Sequence, residues 1–374
     1  MTRRIEDWSG RGLRDLLDHP QIVTPLDPFV TLHDDPLRVL RAIRFAVRLG
    51  YPMDSALERA CRSPRIQERL RIKVSRERVG KELEGMFKGK NANPRQALLT
   101  IGRLDLSSSV FLMPNESTVV EDEDGGSIEI RHHQSGQEQT SDVEQGWKAS
   151  QRVLQLMDAP CLQSSTTTTT TTSSSSQFDL RLWVLAVYLL PFRKVTYVDR
   201  KNKTHLVAEY MIRESIKFKN KDVVAINSIM ESVDGFARLL LENSNVGSLS
   251  RLEAGLLLRS TRELWVTALW VAVVLQKWRQ GNEQQQQQQR DWSAAGKAMQ
   301  EQIQVSLQLD HCWKMRPMLD GRALIQALNL PKGPIVGLFM EEQIKWMLLH
   351  PDGTKEDCQD HLEQFQKQQA QQEQ

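Results

Sequence analysis

The sequence predicts a mainly α-helical fold that is interrupted by low-complexity segments. Apolar residues recur at helical spacing in long stretches such as 180–190 and 223–243, and no strand-rich region is evident. Helix-start signals, in which Asp or Asn precedes a proline, occur at 35–36 and 93–94. With 374 residues, the chain can hold two or more helical units with a sizeable core.

The stretch DDPLRVLRAIRFAVR (34–48) is the most informative of the predicted helices. Asp35 is expected to act as N-cap with Pro36 at the first helical position, where the missing proline N–H costs nothing. One face of this helix is apolar, and an adjacent arc holds four arginines, Arg38, Arg41, Arg44 and Arg48. The pattern fits either an ordinary basic surface helix or a site that binds a nucleotide.

Further motifs flank this helix: IEDWSGRGLRDL (5–16) and TPLDP (24–28) precede it, and VSRERVGKEL (74–83) follows it. Taken alone, the glycines of the first motif indicate a surface turn. In the last motif, Ser75 can cap a helix in which Arg78 and Glu82 are spaced for an ion pair. In this order, the motifs closely resemble those of the class II CCA-adding tRNA nucleotidyltransferases and of the related bacterial-type poly(A) polymerases.

The resemblance implies roles for individual residues. Asp35 and Arg38 match the Asp and Arg with which this family recognises the base of the incoming CTP or ATP, and Asp34 stands where the family usually has Glu. Arg41 and Arg44 are expected to approach phosphates of the triphosphate or of RNA. The remaining matched positions are a flexible hinge and a motif that supports the preceding helix: Asp7, Gly10 and Gly12, and Arg76, Glu77 and Arg78.

The chemistry of an Asp–Arg pair explains which bases it accepts. Cytosine and adenine each present an exocyclic amine donor beside a ring-nitrogen acceptor, so a carboxylate next to a guanidinium can pair with both. Guanine and uracil present a carbonyl beside an N–H, which places the wrong partners opposite the two side chains.

The catalytic element that the resemblance implies is missing from the sequence. The family holds two Mg²⁺ ions on an Asp-x-Asp element preceded by a Gly-Gly-x-x-Arg-Asp turn, and this arrangement does not occur in the 374 residues. We therefore expect a chain without its catalytic head, with no metal site and no nucleotidyl transfer of its own. Three interpretations stay open: part of a CCA-adding enzyme that acts on tRNA, part of a poly(A) polymerase, or a non-catalytic RNA-binding remnant.

The composition is compatible with an RNA-binding protein but does not identify one. A net charge of +2 excludes extreme basicity, so RNA contacts would depend on local clusters at 62–78 or 213–221, each of which could equally be a solvated helix face. The four widely spaced cysteines, which include no CxxC pair, argue against a zinc site and a disulfide framework and favour a reducing, intracellular compartment.

Neither secretion nor a membrane partner is expected. The N-terminus lacks a hydrophobic signal core, and the apolar run at 264–275 is shorter than the about 20 residues that a bilayer requires, so it predicts a buried helix. A mitochondrial, nuclear or cytosolic location stays open, as do protein partners.

Shifts in composition divide the chain into segments. In the tail, Gly333 and Pro334 are expected to open a helix whose N–H groups either meet an RNA phosphate or serve only a helix connection. The low-complexity segments are typical of a eukaryotic, fungal-like protein. We expect a head remnant with the hinge (1–33), a neck with the base-recognition helices (34–112), a disordered acidic insert (113–145), a helical body (146–280) interrupted by a Ser/Thr tract (164–177), a Gln-rich linker (281–291) and a helical tail with a disordered C-terminus (292–374).

Overall fold

The computed structural model describes residues 6–8, 10–114, 118–119, 136–157, 178–242, 249–282 and 290–372. Their fold is mainly α-helical, which confirms the predicted class. The first helices are α1 (Gly12–Leu17), α2 (Pro28–Asp34), α3 (Arg38–Leu49), α4 (Ser55–Cys61), α5 (Pro64–Lys73), α6 (Arg76–Phe87), α7 (Pro94–Arg103) and α8 (Ser107–Val110). The later helices are α9 (Gly136–Gln155), α10 (Leu180–Leu189), α11 (Val207–Tyr210), α12 (Asn220–Glu242), α13 (Arg251–Thr261), α14 (Trp265–Asn282), α15 (Trp292–Glu301), α16 (Gly321–Leu328), α17 (Pro334–Leu349) and α18 (Lys355–Gln372).

Helix α3 is central to the N-terminal part and packs against α6 and α7. On its apolar face Val39, Leu40 and Ile43 are fully buried, and Ala46 and Val47 are partly buried, as their spacing predicts. The predicted start at Pro36 is wrong by two residues, since α3 begins at Arg38. Pro36 and the buried Leu37 instead form a turn that follows directly on the end of α2.

The centre of the C-terminal part is formed by α10, α12 and α14, which pack against one another. The apolar run at 264–275 falls almost entirely in α14, where Trp265 and Leu269 are fully buried, so the predicted buried helix is confirmed. The Trp147 ring of α9 joins this core, with its centroid 4.5 Å from that of Phe192. Buried apolar side chains of both parts form one continuous cluster.

A small antiparallel sheet was not predicted from the sequence. It consists of β1 (Thr118–Val119), β2 (Val195–Val198) and β3 (Thr204–Leu206) in that spatial order. The turn between β2 and β3 closes on Asp199, whose Oδ1 accepts hydrogen bonds from the backbone N–H groups of Lys201 and Lys203 at 2.8 and 2.9 Å. These strands are too short for an alternating apolar pattern to be recognisable.

Two segments that were predicted to be disordered contain regular structure in the part that the structure describes, and the first of them, 113–145, includes β1 as well as the start of α9. Helix α9 begins at Gly136, so the acidic insert predicted at 113–145 is wrong over its last residues. In the helical tail predicted at 292–374, α18 reaches Gln372, so the disordered C-terminus expected for this tail is wrong as far as that residue. Each of these polar helices has a fully buried leucine, Leu154 in α9 and Leu362 in α18. Once such a turn is packed against the core, each further residue adds to the helix at little cost.

Other predicted boundaries are confirmed or only partly covered. Helix α7 starts as expected, with Asn93 Oδ1 accepting a hydrogen bond from the Gln96 N–H at 3.0 Å, and α17 begins at Pro334. The Ser/Thr tract at 164–177 lies outside the described residues. Most of the linker predicted at 281–291 does too, although α14 extends into it as far as Asn282.

Candidate nucleotide-recognition site

The turn between α2 and α3 positions Asp35 and Arg38. Asp35 Oδ1 accepts a hydrogen bond from the Leu37 N–H at 3.2 Å, and the Arg38 N–H donates to the Asp35 carbonyl at 3.1 Å. Leu37 retains 4% of its exposure and holds the turn against the core. The turn therefore fixes both side chains at the same end of α3.

Asp35 is held from a second direction by α6. Its Oδ2 lies 3.2 Å from Arg78 Nη2, and its side chain keeps 31% of its exposure. The predicted ion pair between Arg78 and Glu82 is wrong, since Arg78 contacts Asp35 while Glu82 contacts Arg44. The spacing on α6 permits the predicted pair, but the packing of the helices places other partners next to the two side chains. Arg78 meets Asp35 at the end of α2, and Glu82 meets Arg44 of α3.

Arg38 is anchored independently of Asp35. Its Nη1 donates to the Thr31 carbonyl at 3.1 Å and lies 3.6 Å from Asp34 Oδ2, while 44% of the side chain stays exposed. Among the described residues, no ion pair joins Asp35 to Arg38. The carboxylate and the guanidinium do not neutralise each other, so both retain surface on which a ligand can form hydrogen bonds.

The other arginines of α3 differ in their surroundings. Arg44 Nε lies 2.7 Å from Glu82 Oε2, and Arg48 donates to the carbonyls of Gly85 at 2.9 Å and Lys88 at 2.8 Å. Both side chains thus connect α3 to α6. Arg41 is exposed and has no ion pair within the part of the chain that the structure describes.

Arg76 connects α6 to distant backbone. It donates to the carbonyls of Ser109 at 3.2 Å and Ser215 at 2.6 Å, and to that of Val110. Burial lowers the pKa of this guanidinium to about 10. Within the same motif, Glu77 is exposed, and Ser75 precedes α6 without forming a side-chain cap. Arg76 and Arg78 both contact residues outside α6, and these contacts help to position this helix.

The predicted hinge is a turn before α1. The Gly10 N–H donates to the Asp7 carbonyl at 3.3 Å, and the Leu13 N–H donates to Asp7 Oδ2 at 3.1 Å. Gly10 has a φ of +65°, a conformation that glycine adopts without strain, whereas Gly12 is simply the first residue of α1. No residue of α1 is buried, so few packing contacts restrain this segment.

The described residues offer no magnesium site. They contain no group of three or more His, Cys, Asp or Glu side chains that could hold a metal ion. At the start of α3, Asp34 contacts Arg38 and Asp35 contacts Arg78, which is unlike a set of open carboxylate ligands. Cys61, Cys312 and Cys358 are free and buried. No helix of the described part is both long and apolar enough to cross a membrane.

No protein-family model matches the chain. The chain is 27% identical to the mitochondrial CCA tRNA nucleotidyltransferase of Candida glabrata, over 94% of this chain and 65% of that protein. It is 26% identical to the corresponding mitochondrial protein of Saccharomyces cerevisiae, over 96% of this chain and 64% of the relative. The chain thus spans less than two thirds of the length of these curated relatives.

The fold is shared with a solved structure. The crystal structure of the Bacillus stearothermophilus CCA-adding enzyme in complex with CTP covers 96% of this chain, with a TM-score of 0.55 and 16% identity, and the match includes 69% of that enzyme. At this identity the likeness establishes the helical fold.

Proposed function

We propose that this chain is the base-selecting, helical part of a CCA-adding tRNA nucleotidyltransferase, in which Asp35 and Arg38 recognise the incoming CTP or ATP. The observation that carries the proposal is the arrangement of these two side chains at the start of α3, where each is held by a third group and remains partly exposed. The relatives named as CCA tRNA nucleotidyltransferases, which match nearly the whole chain, support it.

The arrangement suits one set of base edges. Asp35 accepts the exocyclic amine of cytosine or adenine, and Arg38 donates to the adjacent ring nitrogen. Arg78 lies 3.2 Å from Asp35 Oδ2 and restrains the rotation of this side chain, so the carboxylate does not turn to form a pair with Arg38. A carboxylate accepts hydrogen bonds only, which disfavours the carbonyl groups of uracil and guanine.

The wider assignment is part of the same proposal. Residues 1–33 carry the hinge, 34–112 present the nucleotide, and the helices that follow contact tRNA. Arg41 is the α3 arginine available for a phosphate, and Arg44 serves the contact with α6. The proposal assigns nucleotide selection to this chain, and not the joining of nucleotides to RNA, because the family's arrangement of Gly-Gly-x-x-Arg-Asp followed by Asp-x-Asp does not occur in the sequence.

Nucleotide binding by the full chain tests the recognition pair. We expect the wild-type protein to bind CTP and ATP more tightly than UTP and GTP. Asp35→Ala should reduce this preference about 10-fold or more, since a hydrogen bond to a charged group contributes about 1.5–3 kcal/mol. Asp360→Ala, which removes an exposed carboxylate from α18, is the matched control and should leave the preference intact.

Unchanged selectivity in Asp35→Ala would contradict the assignment. Binding of ATP without CTP would instead support the poly(A) polymerase interpretation. A separate incubation with tRNA lacking its terminal CCA, CTP, ATP and Mg²⁺ tests the chain as an enzyme. We expect no extension, and extension at the 3′ end would refute the view that this polypeptide only selects nucleotides.

A further inference from the structure

Three cations form a stripe on α5. Arg65, Arg69 and Lys73 follow one another at intervals of four residues, which places them on the same side of the helix over roughly 12 Å. We call these residues the α5 stripe. Helix α5 packs against α2, the helix that ends immediately before Asp35.

The cations of the α5 stripe differ in their ion pairing from the other cations of the basic segment at 62–78. Four of those arginines are engaged: Arg62 with Glu58 and the Arg103 carbonyl, Arg71 with Glu68, Arg76 with three backbone carbonyls, and Arg78 with Asp35. In the α5 stripe, Arg65 and Lys73 are exposed and lack ion pairs among the described residues. Arg69 donates its Nε to the His33 carbonyl at 2.9 Å, which does not neutralise its charge.

All three cations of the α5 stripe influence the pKa of His33. Desolvation, followed by the charges of Arg69, Arg65 and Lys73, lowers the pKa of this imidazole below its ordinary value, against a smaller opposing effect of Asp34. The three cations of the α5 stripe therefore lie close enough to act on His33, which is two residues before Asp35. The His33 ring also stacks on Phe29, with the centroids 5.9 Å apart.

We propose that the α5 stripe binds the phosphodiester backbone of the RNA strand whose 3′ end meets the nucleotide at Asp35 and Arg38. The proposal rests on the function proposed above. Like charges at this spacing repel one another, and no carboxylate of the described residues forms an ion pair with them. A row of phosphates would offset them, and its position beside α2 would bring the strand to Asp35 and Arg38, the proposed recognition pair.

Salt-dependent binding of an RNA hairpin with a single-stranded 3′ extension tests the α5 stripe. The variants are Arg65→Gln, Lys73→Gln and their combination in the full chain, and Arg71→Gln is the matched control because it removes a cation that Glu68 already pairs. We expect the slope of log K against log salt to become shallower by about 0.7 for each phosphate of the single strand that the protein no longer neutralises, or about 1.4 for the combination. Arg71→Gln should leave the slope unchanged.

The same variants distinguish RNA from the triphosphate as the source of the phosphate. CTP affinity should be unaffected by the combined substitution. A weaker affinity for CTP with an unchanged RNA slope would overturn the proposal, as would an unchanged slope alone. Asp35→Ala should keep the full RNA slope, so a failure of base selection and a failure of the α5 stripe give different results.

Discussion

Arg44→Met is expected to destabilise the protein much more than Arg41→Met. Arg44 Nε lies 2.7 Å from Glu82 Oε2, and the two side chains retain only 21% and 12% of their exposure. An exposed ion pair contributes about 0.2–1 kcal/mol, but removing one partner of a mostly buried charged pair costs about 1.5–3 kcal/mol. We expect a loss of about 2 kcal/mol for Arg44→Met. Arg41→Met should stay within about 0.5 kcal/mol of wild type, since Arg41 is exposed.

Thermal unfolding followed by circular dichroism measures this difference. For a chain of 374 residues, a loss of about 2 kcal/mol corresponds to a fall in Tm of about 2.5 °C, which this assay resolves. The double variant Arg44→Met/Glu82→Leu should recover part of the loss, because it removes the carboxylate that the single variant leaves buried without a partner.

Two outcomes would refute the reasoning. If Arg41→Met lowered Tm as much as Arg44→Met, the two arginines would not differ in structural role. If Arg44→Met left Tm unchanged and weakened RNA binding, the contact with Glu82 would be incidental and Arg44 would be the phosphate ligand.

Two further substitutions test the surroundings of α3. Gly80→Ala should destabilise the protein by about 1–3 kcal/mol, because a Cβ atom there would overlap the Ile216 carbonyl, whereas Gly337→Ala in α17 meets no atom within 4 Å and should be neutral or stabilising in the same melting assay. Glu58→Gln tests a pH effect: the hydrogen bond from Arg103 lowers the pKa of Glu58, so wild type should exceed the variant in Tm at neutral pH and lose this advantage as pH falls from 4.5 through the lowered pKa. An advantage that persists in acid would contradict this pairing.

Local signals in the sequence were sufficient for many helices. Asn93 caps α7 and Pro334 opens α17 as predicted, because these signals act through their own backbone neighbours. The sequence was less informative at α18, where a run of polar residues hides the buried Leu362. It was also less informative for the strands, which have two to four residues each and show no clear alternation.

Residue order alone indicated the proposed recognition residues Asp35 and Arg38, but it did not indicate the contacts that hold them. Arg78 and Asp35 are 43 residues apart, and Arg44 and Glu82 are 38 residues apart. The local spacing on α6 suggested a different pair, Arg78 with Glu82, because sequence reasoning considers one helix at a time. Only the packing of α3 on α6 decides which of these charges meet.

The sequence by itself determined the helical class and the starts of α7 and α17, because these depend on periodicity and on signals within short segments, and its resemblance to a known family indicated the candidate pair Asp35 and Arg38. Only the tertiary structure decided how the charges are used. It placed Arg44 and Arg76 in contacts that hold helices together, and it left the α5 stripe beside the recognition pair without neutralising partners among the described residues. The physical reason is that the environment of a charge depends on which helices pack around it, and segments far apart in the chain supply those helices.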